Sequence, residues 1–358
     1  MKAAVCRAFG EPLQVEEVRL AEAGQGEIVV TLGACAICHS DISQAEGAWP
    51  HPLPAVFGHE AAGTVAACGP EVDGLQPGDR VVVTLVRSCG ACFQCVRGAP
   101  SLCETSFRLD REPALFSADG SPVVQGLKTA AFAEQVLVHQ SQVVSYTQDV
   151  AFETAALLGC AVITGVGAAT TTVPVQPGQS VVVIGAGGVG LNVIQGAALS
   201  GASPLVAIDV SAPKLESACA FGATHALNAG GNVLTGVREL TDGRGADVVF
   251  VATGAGRAVE QGIALTRRGG ATVIVGMPPG DVTSTFDAAW LAGDGRQIVG
   301  CKMGSTEIRR DIPRLLDLHA AGRIRLEELV SGRYPLEQVN EGIAAVSRGG
   351  ALRNVIIF

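Results

Sequence analysis

Val181-Val182-Val183-Ile184 runs without a gap into Gly185-Ala186-Gly187-Gly188-Val189-Gly190, and a helical pattern follows through Ala198. A buried strand, a glycine turn and a helix in direct succession restrict this part of the chain to a doubly wound α/β unit, the context that gives G-x-G-x-x-G its meaning. The first glycine permits the tight turn, the second lets a pyrophosphate approach the backbone, and the third lets helix and strand pack closely. Unpaired N–H groups at the helix start, around Gly188 and Val189, then face the phosphates. About twenty residues further on, at the end of Leu205–Ile208, Asp209 is placed to accept hydrogen bonds from a ribose hydroxyl. A 2′-phosphate would meet that carboxylate charge against charge, so NAD is favoured over NADP. The alternative is a glycine-rich turn in a ligand-free α/β domain.

The rhythm around this motif extends it into a domain. From Gln176-Pro177-Gly178-Gln179 onward, apolar strand, glycine turn and amphipathic helix alternate, which predicts a parallel sheet covered on both faces. The strands expected are Ser180–Ile184, Leu205–Ile208, Val248–Ala252, Ala271–Val275 and Gln297–Gly300. Before that point the pattern is short β-rich runs, such as Ile28–Leu32, Gly63–Ala67 and Arg80–Thr84, broken by Gly, Pro and Asp, and it predicts an antiparallel barrel. The last stretch predicts a helix starting near Glu307 and a strand over Asn354–Phe358. The expected organisation is residues 1–161 as one domain, 162–301 as an inserted nucleotide domain, and 302–358 returning to the first, with a cleft between the two.

Cys89, Cys92, Cys95 and Cys103 form C-x-x-C-x-x-C-x7-C. Two-residue gaps let a reverse turn bring consecutive sulfurs to one ion, and Zn²⁺ takes four thiolates at about 2.3 Å in structural sites. Four protein ligands leave no open position, so a lobe at about 88–104 is expected to hold structure rather than do chemistry. A pair of disulfides is the alternative, one that belongs to oxidising compartments and small secreted chains. The chain has 11 cysteines, an odd number, and Cys6, Cys35, Cys68, Cys219 and Cys301 fit thiols in a reducing cell better than a disulfide framework.

Composition excludes other classes. A net charge of −9 with no stripe of Lys and Arg argues against nucleic acid, and 4% aromatic residues supply no stacking platform for bases. Met1–Glu11 has no apolar stretch behind a basic start, and no window approaches eighteen apolar residues free of charge or glycine. A soluble, cytoplasmic protein without a membrane partner is therefore expected.

Three further groups are scattered: Cys38-His39-Ser40-Asp41, Gly58-His59-Glu60 and Gly159-Cys160. Singly, a buried Cys is usually a small hydrophobe and a buried His a satisfied core residue. With the G-H-E motif, the four-cysteine lobe, the nucleotide fingerprint and the turn Val275-Gly276-Met277-Pro278-Pro279, the chain resembles, end to end, the zinc-dependent alcohol dehydrogenases of the medium-chain dehydrogenase/reductase superfamily. The resemblance implies a Rossmann doubly wound sheet inserted in a GroES-like β-barrel catalytic domain, and two Zn²⁺ per subunit together with NAD. By position, Cys38, His59 and Cys160 resemble the ligands of a catalytic zinc, an arrangement that leaves a fourth position for water or an alcohol oxygen. Asp41 resembles the carboxylate that orients His59. Glu60 matches an acidic residue behind the metal, an alternate ligand whose competing assignment is an ordinary surface glutamate. Ser40 matches the hydroxyl that takes the alcohol proton.

Many relatives carry a histidine five residues after the first ligand as the outer end of that proton path, and here Ser43 stands there. Serine is no base near neutral pH, so water or another group takes the last step. His51 is close in sequence but does not align with the position. The resemblance also puts Thr164 beneath the nicotinamide, Val275 against the carboxamide, Lys214 near the adenosine ribose, and His39 and Arg353 at the pyrophosphate. For Arg353 the alternative is a solvated cation on the terminal strand.

The family's substrate pocket reads as Trp49 and Leu85, which suits an apolar primary alcohol or aldehyde, aromatic or medium-chain. Phe107 falls where glutathione-dependent formaldehyde dehydrogenases carry an arginine, with Arg108 adjacent. A glutathione-adduct dehydrogenase is one alternative. Another is an enzyme whose NAD stays bound and is regenerated by a second substrate, and a third is a non-catalytic cofactor-binding or zinc-storing protein. A homodimer formed by extending the nucleotide-domain sheets, or a homotetramer, is implied as well.

Overall fold

The computed structural model describes residues 1–358. The chain divides into one unit of Met1–Ala161 with Glu307–Phe358 and a second of Val162–Thr306. The chain leaves the second unit at Glu307 rather than at Lys302, because Met303–Ser305 packs on the helical turn Ala168–Thr172. Thr172 Oγ1 lies 2.9 Å from Ser305 Oγ and 3.3 Å from Cys301 Sγ.

In the first unit, strands Lys2–Cys6, Gln14–Leu20, Leu115–Ser117, Pro122–Gln125 and Ala55–Val56 close a small barrel. A larger sheet runs in the order Val143–Ser145, Arg80–Thr84, Glu60–Cys68, Glu27–Ala36, Arg353–Ile357 and Val330–Pro335, and Gln135–His139 also pairs with Glu27–Ala36. Most pairs are antiparallel, as the broken β-rich pattern predicts. Ala55–Val56 with Pro122–Gln125, and Val330–Pro335 with Arg353–Ile357, are parallel; such pairs need long crossover connections that short apolar runs do not reveal. Phe57, Phe132, Ile28, Ile37 and Leu137 are fully buried in this unit, each worth roughly 1.5–3 kcal/mol relative to exposure.

The second unit is a six-stranded parallel sheet ordered His225–Asn228, Leu205–Asp209, Val181–Ile184, Ala246–Val251, Thr266–Ile274 and Gln297–Gly300. In chain order within the unit this is 3-2-1-4-5-6, which places a ligand crevice beyond the carboxyl end of Val181–Ile184, where the order reverses. All four residues of that central strand are buried, which is why it reads as an unbroken apolar run. The strand His225–Asn228 was not expected. It is an edge strand with exposed or half-buried residues and so lacks an apolar signature. No single helix is long and apolar enough to cross a membrane.

Candidate active site and metal centres

The strand Glu27–Ala36 leads directly into Ile37-Cys38, and Cys38, in extended backbone, caps the helix His39–Ala45. Glu60 opens the strand Glu60–Cys68, so His59 stands at its mouth, while Cys160 follows the turn Leu157–Gly159. Gly159 packs on this strand and its neighbour Arg80–Thr84 so closely that a Cβ would lie 3.2 Å from Glu60 Cα and 2.6 Å from the carbonyl of Val83. Gly58 is left-handed at φ +88, and a Cβ there would lie 2.6 Å from Phe132 N. These two glycines let the segments carrying His59 and Cys160 come together.

The ligand atoms of Cys38, His59, Glu60 and Cys160 all lie within 4.8 Å of one another. His59 Nε2 is 3.3 Å from Cys160 Sγ. Asp41 ties the cluster together: its Oδ2 accepts from Cys38 N at 3.0 Å, and its Oδ1 accepts from Gly58 N at 2.9 Å and lies 3.0 Å from His59 Nδ1. One buried carboxylate therefore fixes the helix start that bears Cys38 and the ring of His59, and leaves Nε2 facing the sulfurs. Burial disfavours charge on His59, but Asp41 and Cys38 outweigh it and raise its pKa well above the ordinary value. The two thiols act on each other: Cys160 draws Cys38 well below the usual thiol range, and Cys38, with burial, pushes Cys160 well above it.

Glu60 is fully buried, which removes the surface-glutamate assignment. Neither of its carboxylate oxygens has a hydrogen-bond partner. Burial pushes its carboxyl up to about 7 against the pull of Arg353, whose Nε lies 3.7 Å away. Arg353 is not a solvated cation: it is buried, and its Nη1 contacts the carbonyl of Ile37 at 3.4 Å. Orphaned carboxylate oxygens beside two thiols and an imidazole are the donor set of a borderline-soft divalent cation. Zinc fits.

The second cluster is local. Cys89, Cys92, Cys95 and Cys103 place their sulfurs within 4.8 Å of one another, and Cys92 Sγ is 3.8 Å from Cys103 Sγ. A tetrahedron with metal–sulfur bonds of about 2.3 Å has edges of about 3.8 Å. Cys89 Sγ accepts from Cys92 N at 3.2 Å, Ala91 N at 3.4 Å and Thr105 Oγ1 at 3.0 Å. The hydroxyl of Thr105, led by its bond, holds the Cys89 thiol down at about 6. The cysteine spacing gave no sign of Thr105, which lies beyond the lobe.

In the second unit, Gly185 is left-handed at φ +94, and a Cβ on Gly190 would sit 1.8 Å from the Gly185 carbonyl oxygen. A Cβ on Gly187 would meet nothing within 4 Å. The turn is thus closed at its first and third glycines and open at the second, and it opens the helix Gly188–Leu199. That is a cradle for a pyrophosphate. Asp209 ends its strand with Oδ2 accepting from Ala186 N at 2.7 Å and Oδ1 from Ser211 N at 2.9 Å. The carboxylate is thereby held beside the glycine turn with lone pairs to spare for ribose hydroxyls. Val275 N is spent on the Val251 carbonyl at 2.9 Å, so only the Val275 carbonyl is available to a carboxamide. Thr164 is buried, with Oγ1 3.7 Å from Met303 Sδ, and Lys214 is half-buried on the helix Ala212–Ala220.

Of the remaining positions, Ser40 and Ser43 are half-buried on the helix after Cys38, and His39 is exposed. Trp49 and Leu85 are half-buried, Leu85 following the strand Arg80–Thr84, whose Thr84 pairs with Glu60.

Comparison with known proteins agrees with this architecture. Residues 24–148 match the alcohol dehydrogenase GroES-like domain, and residues 188–321 match the zinc-binding dehydrogenase family. The NDMA-dependent alcohol dehydrogenase of Amycolatopsis methanolica is 34% identical over 99% of this chain and 98% of that protein. The geraniol dehydrogenase of Castellaniella defragrans is 34% identical over 100% and 97%. The crystal structure of benzyl alcohol dehydrogenase from Acinetobacter calcoaceticus superposes with a TM-score of 0.93 at 31% identity, covering 100% of this chain and 99% of that one. A GroES-like barrel and a Rossmann sheet with these matches define a zinc-type dehydrogenase. The chain belongs to the zinc-dependent alcohol dehydrogenase family of the medium-chain dehydrogenase/reductase superfamily. It is an oxidoreductase acting on alcohols and aldehydes, of a kind that uses zinc and a nicotinamide cofactor.

Proposed function

We propose that this enzyme transfers hydride between an apolar primary alcohol, aromatic or medium-chain, and NAD, and that each chain carries two zinc ions. The observation that carries the assignment is the buried set of Cys38, His59 and Cys160, with the Glu60 oxygens behind it left without a hydrogen bond. Three protein ligands would leave zinc one position at which, when bound, it polarises an alcohol or carbonyl oxygen. NAD supplies the hydride acceptor. The rest falls to this chain. Two thiolates neutralise the ion, Asp41 fixes the tautomer and orientation of His59, and Ser40, two residues from Cys38, receives the alcohol's proton. Glu60 serves as an alternate ligand, its charge balanced by Arg353. Cys89, Cys92, Cys95 and Cys103 hold the second ion as a closed structural site.

NAD is preferred over NADP because Asp209 presents a carboxylate where a 2′-phosphate would lie. His39 and Arg353 contribute to pyrophosphate binding, Lys214 to the adenosine ribose, Thr164 and the Val275 carbonyl to the nicotinamide. Trp49 and Leu85 line an apolar pocket, in keeping with the benzyl alcohol and geraniol dehydrogenases among its relatives. A glutathione adduct is disfavoured: Arg108, the cation adjacent to Phe107, donates from Nε to Glu27 Oε1 at 2.9 Å, pairs again through Nη2 with Glu27, and reaches Glu112 at 3.1 Å. A guanidinium so committed has little left for a substrate carboxylate. The NDMA-dependent relative favours one second reading, a tightly held NAD recycled by another substrate.

The outer edge of Gln297–Gly300 is unpaired at one end of the sheet, an edge suited to a two-fold homodimer, with pairing of dimers giving a tetramer. A panel of alcohols and aldehydes followed by NADH absorbance tests the activity. Turnover without added NAD, with cofactor absorbance in the purified protein, would shift the assignment to the second reading, and no turnover with any alcohol would end it.

A further inference from the structure

The second unit holds a cavity that neither the metal clusters nor the cofactor turn account for. It has a volume of about 920 Å³ and lies at the amino ends of the parallel strands, where Ser180 precedes Val181–Ile184 and where Asp247 and Arg267 stand near the starts of Ala246–Val251 and Thr266–Ile274. The glycine turn is at the opposite end of Val181–Ile184, about 13 Å away along four extended residues. No residue of that turn, and none of the edge strand Gln297–Gly300, lines the cavity. Its volume is in the range of small-molecule sites.

Five arginines and three aspartates line it, a surplus of positive charge in a chain whose net charge is −9. The aspartates are already engaged by the protein. Asp247 accepts from Ser180 N at 2.7 Å, Ser180 Oγ at 2.6 Å and Arg267 Nε at 2.7 Å. Asp294 holds two cations, Arg268 at 3.0 Å and Arg296 at 2.9 Å, and Asp242 pairs with Arg244 at 2.8 Å. Arg296 is fixed further by lying over the Trp290 ring, 3.5 Å from its centroid. Arg268 and Arg244 each commit one nitrogen, Nε and Nη2 respectively, and Arg238 commits none. Capping of helix ends does not explain this surplus. Carbonyls at helix C-termini draw cations, but of the five arginines only Arg296 binds one, its Nη1 donating to Ile263 at 3.0 Å. At the end of Val233–Leu240 the Val237 and Arg238 carbonyls are taken by Thr241 Oγ1 and Gly243 N, each at 2.7 Å.

Guanidinium forks match the oxygens of phosphates, and where several converge they favour a ligand with more than one charge. A diphosphate offers more charge and more acceptor oxygens in a small volume than a carboxylate does. We propose that the cavity is a second anion site, independent of the cofactor turn, and that it binds a small molecule carrying a diphosphate group through Arg238, Arg244 and Arg268. Arg267 and Arg296, held by Asp247, Asp294 and Trp290, form its fixed positive wall. The site rests on the charges that line it and not on the reaction the enzyme catalyses. Because its three binding arginines are exposed, added salt screens them and weakens the ligand.

The test uses the full-length enzyme loaded with zinc, with NAD present to fill the cofactor turn, titrated by calorimetry with inorganic pyrophosphate, ADP and citrate in turn. Pyrophosphate should bind once per chain, more tightly than citrate, and more weakly as salt is added. Arg238→Gln and Arg268→Gln should each weaken it about tenfold, with alcohol oxidation, NAD affinity and sedimentation unchanged. ADP binding tighter than pyrophosphate fits a nucleotide ligand, and equal or weaker binding fits a free diphosphate; either supports the proposal. No binding with the cofactor turn filled, binding that survives both substitutions, a parallel loss of NAD affinity, or citrate binding as tightly as pyrophosphate would overturn it. A change of oligomeric state in either variant would overturn it too, by making this face a contact between copies of the chain.

Discussion

The two thiol clusters solve opposite problems. Cys89, Cys92, Cys95 and Cys103 come from one short stretch and are half-buried, in a lobe whose Phe93 is 65% and Val96 70% exposed. Such a lobe has little core of its own, and in the proposed assignment four ligands closing on one ion stand in for it. Cys38, His59 and Cys160 come from three distant segments and are at most 6% exposed. Their geometry is set by the sheet, by close glycine contacts and by Asp41. In the proposed assignment, a centre that must keep one position for substrate is built into a rigid core, and one that only holds a loop can stand nearly alone.

Breaking each cluster should separate these roles. Cys38→Ser removes a proposed catalytic ligand, so alcohol oxidation should drop by at least about a hundredfold, with NADH binding by fluorescence nearly intact; wild-type turnover would contradict the assignment. Cys92→Ala should instead lower stability by several kcal/mol as the lobe loses its ion, read as a fall in melting temperature, and an equally stable, active variant would show the lobe to be dispensable. Asp41→Asn keeps the volume but loses the charge facing His59, and a loss of about 10–100-fold in activity or zinc affinity is expected. Unchanged zinc affinity and kcat would demote Asp41 to a helix cap. Asp209→Gly leaves both metal clusters untouched and should raise the use of NADP relative to NAD by about tenfold, since one unit charge is removed from beside the 2′ position. Unaltered selectivity would move that role elsewhere.

The same contrast explains what the sequence made legible. The cysteine lobe and the glycine turn are local, so spacing alone exposes them; the turn even shows its chemistry, with Gly190 against the Gly185 carbonyl and Gly187 open. The proposed catalytic donors are non-local, and in the sequence only the resemblance joined Cys38, His59 and Cys160. For Arg353 the sequence left a solvated terminal cation open beside the pyrophosphate role, because its burial against Glu60 depends on where the last strand pairs. Thr105 and the stacking of His51 between Phe9 and Phe57 left no pattern, since each depends on contacts made by side chains rather than on periodicity. The edge strand His225–Asn228 escaped notice for want of buried residues.

The most direct test of the central claim is zinc content per chain, measured under non-stripping conditions for the unaltered protein and for Cys38→Ser side by side. Two ions in the first and one in the second, with activity lost in step, is the predicted result. A single tightly held ion in the fully active unaltered protein would contradict it.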